Sequence, residues 1–233
     1  ILSNRCLLTD RAGTLARRGL LALSLYCRYD WPKTSHPPCM EYLIFTIAGY
    51  LLGSVSSAVV VSRLMNLPDP RSEGSGNPGA TNVLRLGNKA AAGLTLAGDI
   101  LKGALPVLVA RWLVDDPLTV ALAGAGAFFG HLFPLFFGFK GGKGVATALG
   151  VFAAVSLSVA GGLALTWLVV ALVLRYSSLA ALVSAVSAPV WVWWILSDPV
   201  YTGLAALLAL MLILRHRANI GRLLAGTESK IGK

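Results

Sequence analysis

From residue 42 onward the chain is a succession of apolar runs, at 42–65, 90–114, 118–137, 145–160, 161–174, 179–196 and 200–214, separated by short polar connections. Runs of about 20 apolar residues match the hydrocarbon thickness of a bilayer, and there only a helix or a closed barrel satisfies its own backbone polar groups. The expectation is an all-α integral membrane protein with about seven transmembrane helices. With 56% hydrophobic and only 13% charged residues, the chain is too apolar for an ordinary soluble domain. The division inside 145–174 is the weakest, because that stretch must fold back near Gly161 and Gly162 to give two short helices. As one tilted helix it would leave six spans.

Charge placement bears on the count. With seven spans, the connections after the first, third and fifth, and the tail after the seventh, hold Arg63, Arg71, Arg85, Lys89, Lys140, Lys143, Arg175, Arg215, Arg217, Arg222, Lys230 and Lys233. The opposite side, after Met40, keeps Arg111 among Asp115, Asp116 and Asp198. Basic connections stay in the cytoplasm, so the body is expected to begin outside and end inside. Six spans would separate Arg175 from the basic tail. The net charge of +10 is scattered among apolar runs, which does not make a nucleic-acid footprint and points to anionic lipid or a phosphorylated substrate.

Residues 1–39 stand apart, with Arg5, Arg11, Arg17, Arg18, Arg28 and Lys33, and with Pro32, Pro37 and Pro38 at their end. They are expected to be a non-native or disordered extension, or an amphipathic tail, and residues 40–233 the membrane domain. All three cysteines, Cys6, Cys27 and Cys39, fall in this segment, and His36, His131 and His216 have no ligand spacing, so neither a thiolate nor a histidine metal site is expected.

Three polar segments on the basic side carry the chemistry. In residues 73–87, Ser75, Asn77, Thr81, Asn82 and Arg85 crowd a glycine-rich connection with donors suited to phosphate and hydroxyl oxygens. Its formal GxGxxG at Gly74, Gly76 and Gly79 follows no strand, which removes the dinucleotide reading; a turn-rich linker is the bland alternative. Residues 130–147, GHLFPLFFGFKGGKGVAT, place Lys140 and Lys143 among Gly138, Gly141, Gly142 and Gly144, where missing side chains let backbone N–H groups approach an anion. A Walker loop needs Ser or Thr after its lysine, and here Gly144 follows Lys143. Both lysines also suit simple positive-inside anchoring. Residues 215–228 hold Arg215, His216, Asn219, Arg222 and Glu228; if the last helix continues, Arg215 and Asn219 share a face. His216 is the best candidate for proton transfer or substrate hydrogen bonding. A basic tail gripping lipid headgroups is the alternative.

Asp99 and Lys102, three apart within a span, are expected to pair or to face a polar interior. His131 is expected to be packed and hydrogen-bonded. Trp191, Trp193 and Trp194 look like an interfacial belt.

Together, SGNPGATNVLR at 75–85, GHLFPLFFGFKGGKGVAT at 130–147 and RHRANIGRLLAGTE at 215–228 resemble the bacterial acyl-phosphate:glycerol-3-phosphate acyltransferase family, with DILKG at 99–103 in support. The resemblance spans nearly everything after Met40. It implies a multi-pass inner-membrane enzyme that moves a fatty acyl group from acyl phosphate to the 1-hydroxyl of glycerol 3-phosphate, giving lysophosphatidate and phosphate in the first acylation of phospholipid synthesis. By the same resemblance His216, Asn219, Ser75 and Arg85 are catalytic. Asn77, Lys143, Gly141, Gly142, Gly144 and Ser178 bind substrate, and Glu228 is structural. Ala181 stands where the family often has a further serine after Ser177 and Ser178. The H-x4-D pattern of other glycerolipid acyltransferases is absent, since Phe136 and Gly221 occupy the fifth positions after His131 and His216.

Acyl phosphate is a mixed anhydride with a good leaving group, so positioning and charge stabilisation suffice and neither a metal nor a cofactor is expected. Either His216 or a substrate phosphate would take the hydroxyl proton. A transporter or exchanger of phosphorylated metabolites is the competing class, although the chain shows no internal repeat.

Overall fold

The computed structural model describes residues 38–232. The expected extension, residues 1–39, lies almost wholly outside the described residues. Helix α1 (Pro38–Gly53) and α2 (Ser57–Leu64) form one interrupted span; α3 (Ala80–Arg85) is a single short turn in the first basic connection. Helices α4 (Lys89–Leu113), α5 (Pro117–Leu132), α6 (Val145–Val155), α7 (Leu157–Leu174), α8 (Ser177–Leu196) and α9 (Pro199–Arg215) follow, with α10 (Arg217–Leu224) after the last bend. Among the described residues there is no strand.

Local chemistry sets these boundaries. Asn88, Asp116, Ser156 and Asp198 accept hydrogen bonds from the first free backbone N–H groups of α4, α5, α7 and α9, and Pro117 and Pro199 open the helices that follow Asp116 and Asp198. The fold-back expected at Gly161 and Gly162 lies earlier, at Ser156, which is extended and caps Val159 N–H. Gly162 serves packing instead of turning, because a Cβ there would meet the Trp191 ring at 2.8 Å. Trp191 is therefore not part of the exposed belt formed by Trp193 and Trp194; its Nε1 donates to Thr166 at 3.2 Å.

Five helical segments are long and apolar enough to cross a bilayer, and α9 with α10 makes a bent pair that passes the same test. The 11 residues of α6 rise only about 16 Å, roughly half the hydrocarbon thickness. The seven apolar runs are thus seven helical legs, of which the fourth is short.

Small residues let the legs approach. Gly49 and Gly53 of α1 face the backbone of Ala123 and Ala127 of α5, while Gly126 and Gly130 of α5 face Thr46 and Tyr50 of α1. The register advances in the same direction on both helices, so α1 and α5 run parallel, packed through two small-xxx-small seams. On α4 and α6, Gly103 faces Thr147 and Gly150 faces Ile100 in the same manner.

Long-range bonds gather the basic connections at one end. Lys143 reaches Asn219, Ser178 reaches Glu228, and Arg175 exchanges backbone and guanidinium bonds with Ile231. Arg111 lies at the opposite end, donating to the carbonyls of Ala154 and Val155 where α6 stops. Arg175 and the tail therefore lie at one end.

Candidate active site

Asn82 shapes the first wall. Its side-chain nitrogen donates to Pro70 O at 2.8 Å and Glu73 O at 3.0 Å, and its oxygen accepts from Ser75 N–H at 2.9 Å. Gly74 and Gly76 take left-handed conformations (φ 59° and 67°) that turn the chain beneath Ser75. Ser75 and Asn77 line a cavity, as does Arg85 at the end of α3.

The glycine-rich segment forms the second wall. Gly141 and Gly142 are buried against His131, whose carbonyl and ring occupy the space a Cβ would need. Gly142 N–H donates to His131 O at 3.2 Å, while Arg215 donates to Gly142 O at 3.2 Å and Gly141 O at 2.8 Å. Gly141 and Gly142, expected to offer their N–H groups to phosphate, do not line the cavity. Both let the segment press against α5, which presents Lys143. Gly144, with φ 87° and the Phe128 ring where its Cβ would lie, does line the cavity. Lys140, grouped with Lys143 in the sequence, faces a different cavity.

The third wall is the tail. The chain does not continue straight past Leu214: α9 and α10 meet at His216 with a 61° bend. Buried His216 places Nδ1 2.8 Å from Leu212 O, so Nδ1 carries the proton and Nε2 is left as the acceptor within the cavity. Burial, reinforced by Lys143 and Arg215, pulls His216 down to about 4, against the pull of its bond to Leu212 and of Glu228. Asn219 accepts from Lys143 Nζ at 2.6 Å and donates to Glu228 Oε1 at 2.6 Å. Glu228 also accepts from Ser178 at 2.7 Å and from Arg222 at 2.6 Å. Although burial pushes the Glu228 carboxyl up, these three hydrogen bonds hold it below its ordinary value. Burial and the neighbouring Arg222, Arg85 and Arg215 depress Lys143 to about 8, against the pull of Glu228.

Beneath these walls Asp99 and Lys102 form the expected ion pair at 2.8 Å, and His131 Nδ1 lies 3.5 Å from the same carboxylate. All three are buried, and Lys102 also donates to Val55 O, in the break between α1 and α2, at 2.8 Å.

The cavity measures about 330 Å³. Ser75, Asn77, Arg85, Lys143, Gly144, Ser178, His216 and Asn219 line its polar end, so the sequence-expected residues converge except for Gly141 and Gly142. Asp99, His131 and Glu228 also reach it. The other end is apolar, bounded by Leu149, Phe152, Leu163 and Trp167 and by alanines 181, 185, 188, 205 and 209. On α8 the lining runs from Ser177 to Ala188, a rise of about 16 Å. Sequence reasoning missed the organising roles of Asn82 and Arg215, and it missed the alanine-lined groove. In the sequence, Ala181, Ala185 and Ala188 recur at helical spacing on one face, but a small-residue face serves helix packing equally well.

The fold and site define a multi-pass membrane protein that holds a phosphate-sized cationic end and a fatty-chain-sized apolar end in one cavity. The family model described as "Glycerol-3-phosphate acyltransferase" matches residues 43–226, and the chain belongs to that family. It is 56% identical over 190 residues to the glycerol-3-phosphate acyltransferase of Halorhodospira halophila, covering 82% of this chain and 96% of that one. With the Ralstonia pickettii protein of the same name, identity is 54%, covering 84% and 97%. The crystal structure of PlsY (YgiH), an integral membrane glycerol 3-phosphate acyltransferase, in its glycerol 3-phosphate form matches with a TM-score of 0.78 at 42% identity, over 82% of this chain and 96% of that chain. Its lysophosphatidic acid form matches with a TM-score of 0.76 at 41% identity. These relatives favour the acyltransferase reading over a transporter.

Proposed function

We propose that the protein transfers a fatty acyl group from acyl phosphate to the 1-hydroxyl of glycerol 3-phosphate, releasing lysophosphatidate and phosphate. The observation that carries this is the continuity of one cavity from the Arg85, Lys143 and His216 end to the alanine-lined groove. Both substrates carry phosphate and one carries a long apolar tail, so one amphipathic cavity fits their shared chemistry. The relatives with glycerol 3-phosphate and lysophosphatidic acid forms support the acceptor and the product. Lipid surrounds the site, the membrane is the bacterial inner membrane, and the basic end faces the cytoplasm, as the charge asymmetry indicates.

The acyl chain lies along Ala181, Ala185 and Ala188 with its carboxyl phosphate at the cationic end. Lys143 and Arg85 hold phosphate oxygens; Ser75 and Asn77 orient the glycerol backbone. His216 Nε2 accepts a hydrogen bond from the 1-hydroxyl, aiming that oxygen at the acyl carbon. The hydroxyl oxygen adds to the carbonyl, the cations and polar donors stabilise the oxyanion, and the carbon–oxygen bond to phosphate then breaks. With a pKa near 4 the imidazole is a poor base at neutral pH, so the hydroxyl proton ends on the departing phosphate and His216 orients. Asn219 and Glu228 fix Lys143 from behind.

The donor assignment is tested by giving the purified protein palmitoyl phosphate, palmitoyl-coenzyme A or a palmitoyl carrier-protein thioester with glycerol 3-phosphate. Turnover confined to the acyl phosphate supports the reading; equal turnover with a thioester overturns it.

A further inference from the structure

A second cavity, of about 390 Å³, is lined by Arg63, Arg71, Phe136, Phe137, Gly138 and Lys140. Its three cations come from separate segments: the end of α2, the connection after it, and the glycine-rich segment. Asp69 pairs with Arg71 at 2.6 Å and also feels the charge of Arg63, so three cations of the lining share this one carboxylate and the cavity keeps a net positive charge. Arg71 is also fixed over the Phe137 ring at 5.9 Å, with Nη1 3.5 Å from Phe137 O. A lysine that merely anchors a helix end needs no such construction. Phe136 in the lining is exposed, as are Leu64, next to Arg63 in sequence, and Leu135 and Phe139, which flank residues 136–138, so apolar side chains neighbour the cations.

We infer that this cavity binds the headgroup phosphate of an anionic phospholipid, with the lipid chains lying along Leu64 and Phe136. Cationic lining matches the phosphate and the apolar neighbours match the chains, a combination that a soluble anion would not use. The cavity also has a consequence for the reaction. Its walls are the two connections that present Ser75 and Lys143 to the first cavity, and Arg71 already stitches one to the other. A phosphate bridging Arg63 and Lys140 draws those walls together, so the bound lipid acts as an activator. The activating role rests on the acyltransferase reading; the binding does not.

The test uses the full chain in nanodiscs of phosphatidylcholine alone or with phosphatidylglycerol, read by native mass spectrometry for retained lipid and by acyl transfer for rate. Wild type should retain phosphatidylglycerol and turn over faster in its presence. The Arg63→Ala/Lys140→Ala variant should retain it about 30-fold less well, two cations at the usual headgroup worth. Its rate in phosphatidylcholine should equal that of wild type. Lys89→Ala/Lys230→Ala, which removes the same charge outside the cavity, should behave as wild type. Equal retention by wild type and the Arg63/Lys140 variant, or equal loss in the Lys89/Lys230 control, overturns the site. Activation by inorganic phosphate in phosphatidylcholine discs would assign it to a free anion and overturn the lipid. Retention without activation overturns only the coupling, and loss of acyl transfer in every disc with retention intact would count against the reaction and leave the site standing.

Discussion

Lys143 Nζ donates to Asn219 Oδ1 at 2.6 Å, joining residues 76 apart in sequence, and Asn219 passes the connection to Glu228. The glycine-rich segment and the tail therefore form one unit, in which a lysine is aimed by an amide and the amide by a carboxylate.

Removing the cation should weaken phosphate binding first. Lys143→Ala is expected to raise KM for glycerol 3-phosphate by about 10- to 100-fold, the worth of a hydrogen bond to a charged group. Asn219→Ala should raise KM in the same direction, since Lys143 then loses its orientation. Steady-state kinetics at fixed acyl phosphate checks both.

Acidity gives an independent handle on the same residue. Lys143 has a depressed pKa of about 8, so it is cationic below that pH and loses its charge as pH rises through it. KM for glycerol 3-phosphate should therefore climb above about pH 8, approaching tenfold per unit. In Lys143→Ala the KM should already be high at neutral pH and should lack this rise.

His216 is neutral well below physiological pH, having a pKa of about 4. Imidazole protonation should therefore put no inflection in kcat/KM between about pH 5 and pH 7. His216→Ala should still lower kcat, by about 100-fold, because Nε2 no longer aims the hydroxyl. A kcat/KM inflection near pH 6.5 that disappears in the variant would instead make His216 the base.

The alanine-lined groove predicts a chain-length effect. Ala185→Leu and Ala188→Leu should slow transfer from palmitoyl phosphate while leaving a short-chain acyl phosphate nearly untouched, because only a long tail reaches those positions. Loss with both donors would place the tail elsewhere.

Helix packing is testable by stability alone. At Gly53 a Cβ would strike the Ala127 backbone, so Gly53→Ala should cost about 1–3 kcal/mol through forced separation of α1 and α5. Gly93 and Gly203, also helical, have nothing within 4 Å, and alanine there should be neutral or stabilising by up to about 1 kcal/mol. Thermal unfolding in detergent separates the two classes.

Much of this was legible before any coordinates. Apolar runs of bilayer length give the legs because the bilayer leaves the backbone few alternatives. Basic connections gather on one side for electrostatic reasons, and Arg175 does meet Ile231. What stayed hidden depended on tertiary partners. Gly162 reads as a turn until Trp191 is seen filling its face, and Ser156 reads as an ordinary serine until it caps α7. Lys140 and Lys143 are three residues apart, yet the left-handed turn at Gly138 and the buried Gly141 and Gly142 send them to different cavities. Glu228 bonds Asn219 and Arg222 within the tail, but its bond to Ser178 joins residues 50 apart, a contact that no local pattern announces.

The most direct measurement is the stoichiometry of one reaction: purified protein with palmitoyl phosphate and glycerol 3-phosphate, with lysophosphatidate and inorganic phosphate both quantified. Equal amounts of the two products are predicted, with both falling together in Lys143→Ala. Phosphate released without lysophosphatidate, or glycerol 3-phosphate carried across a liposome bilayer without being esterified, would contradict the acyltransferase assignment.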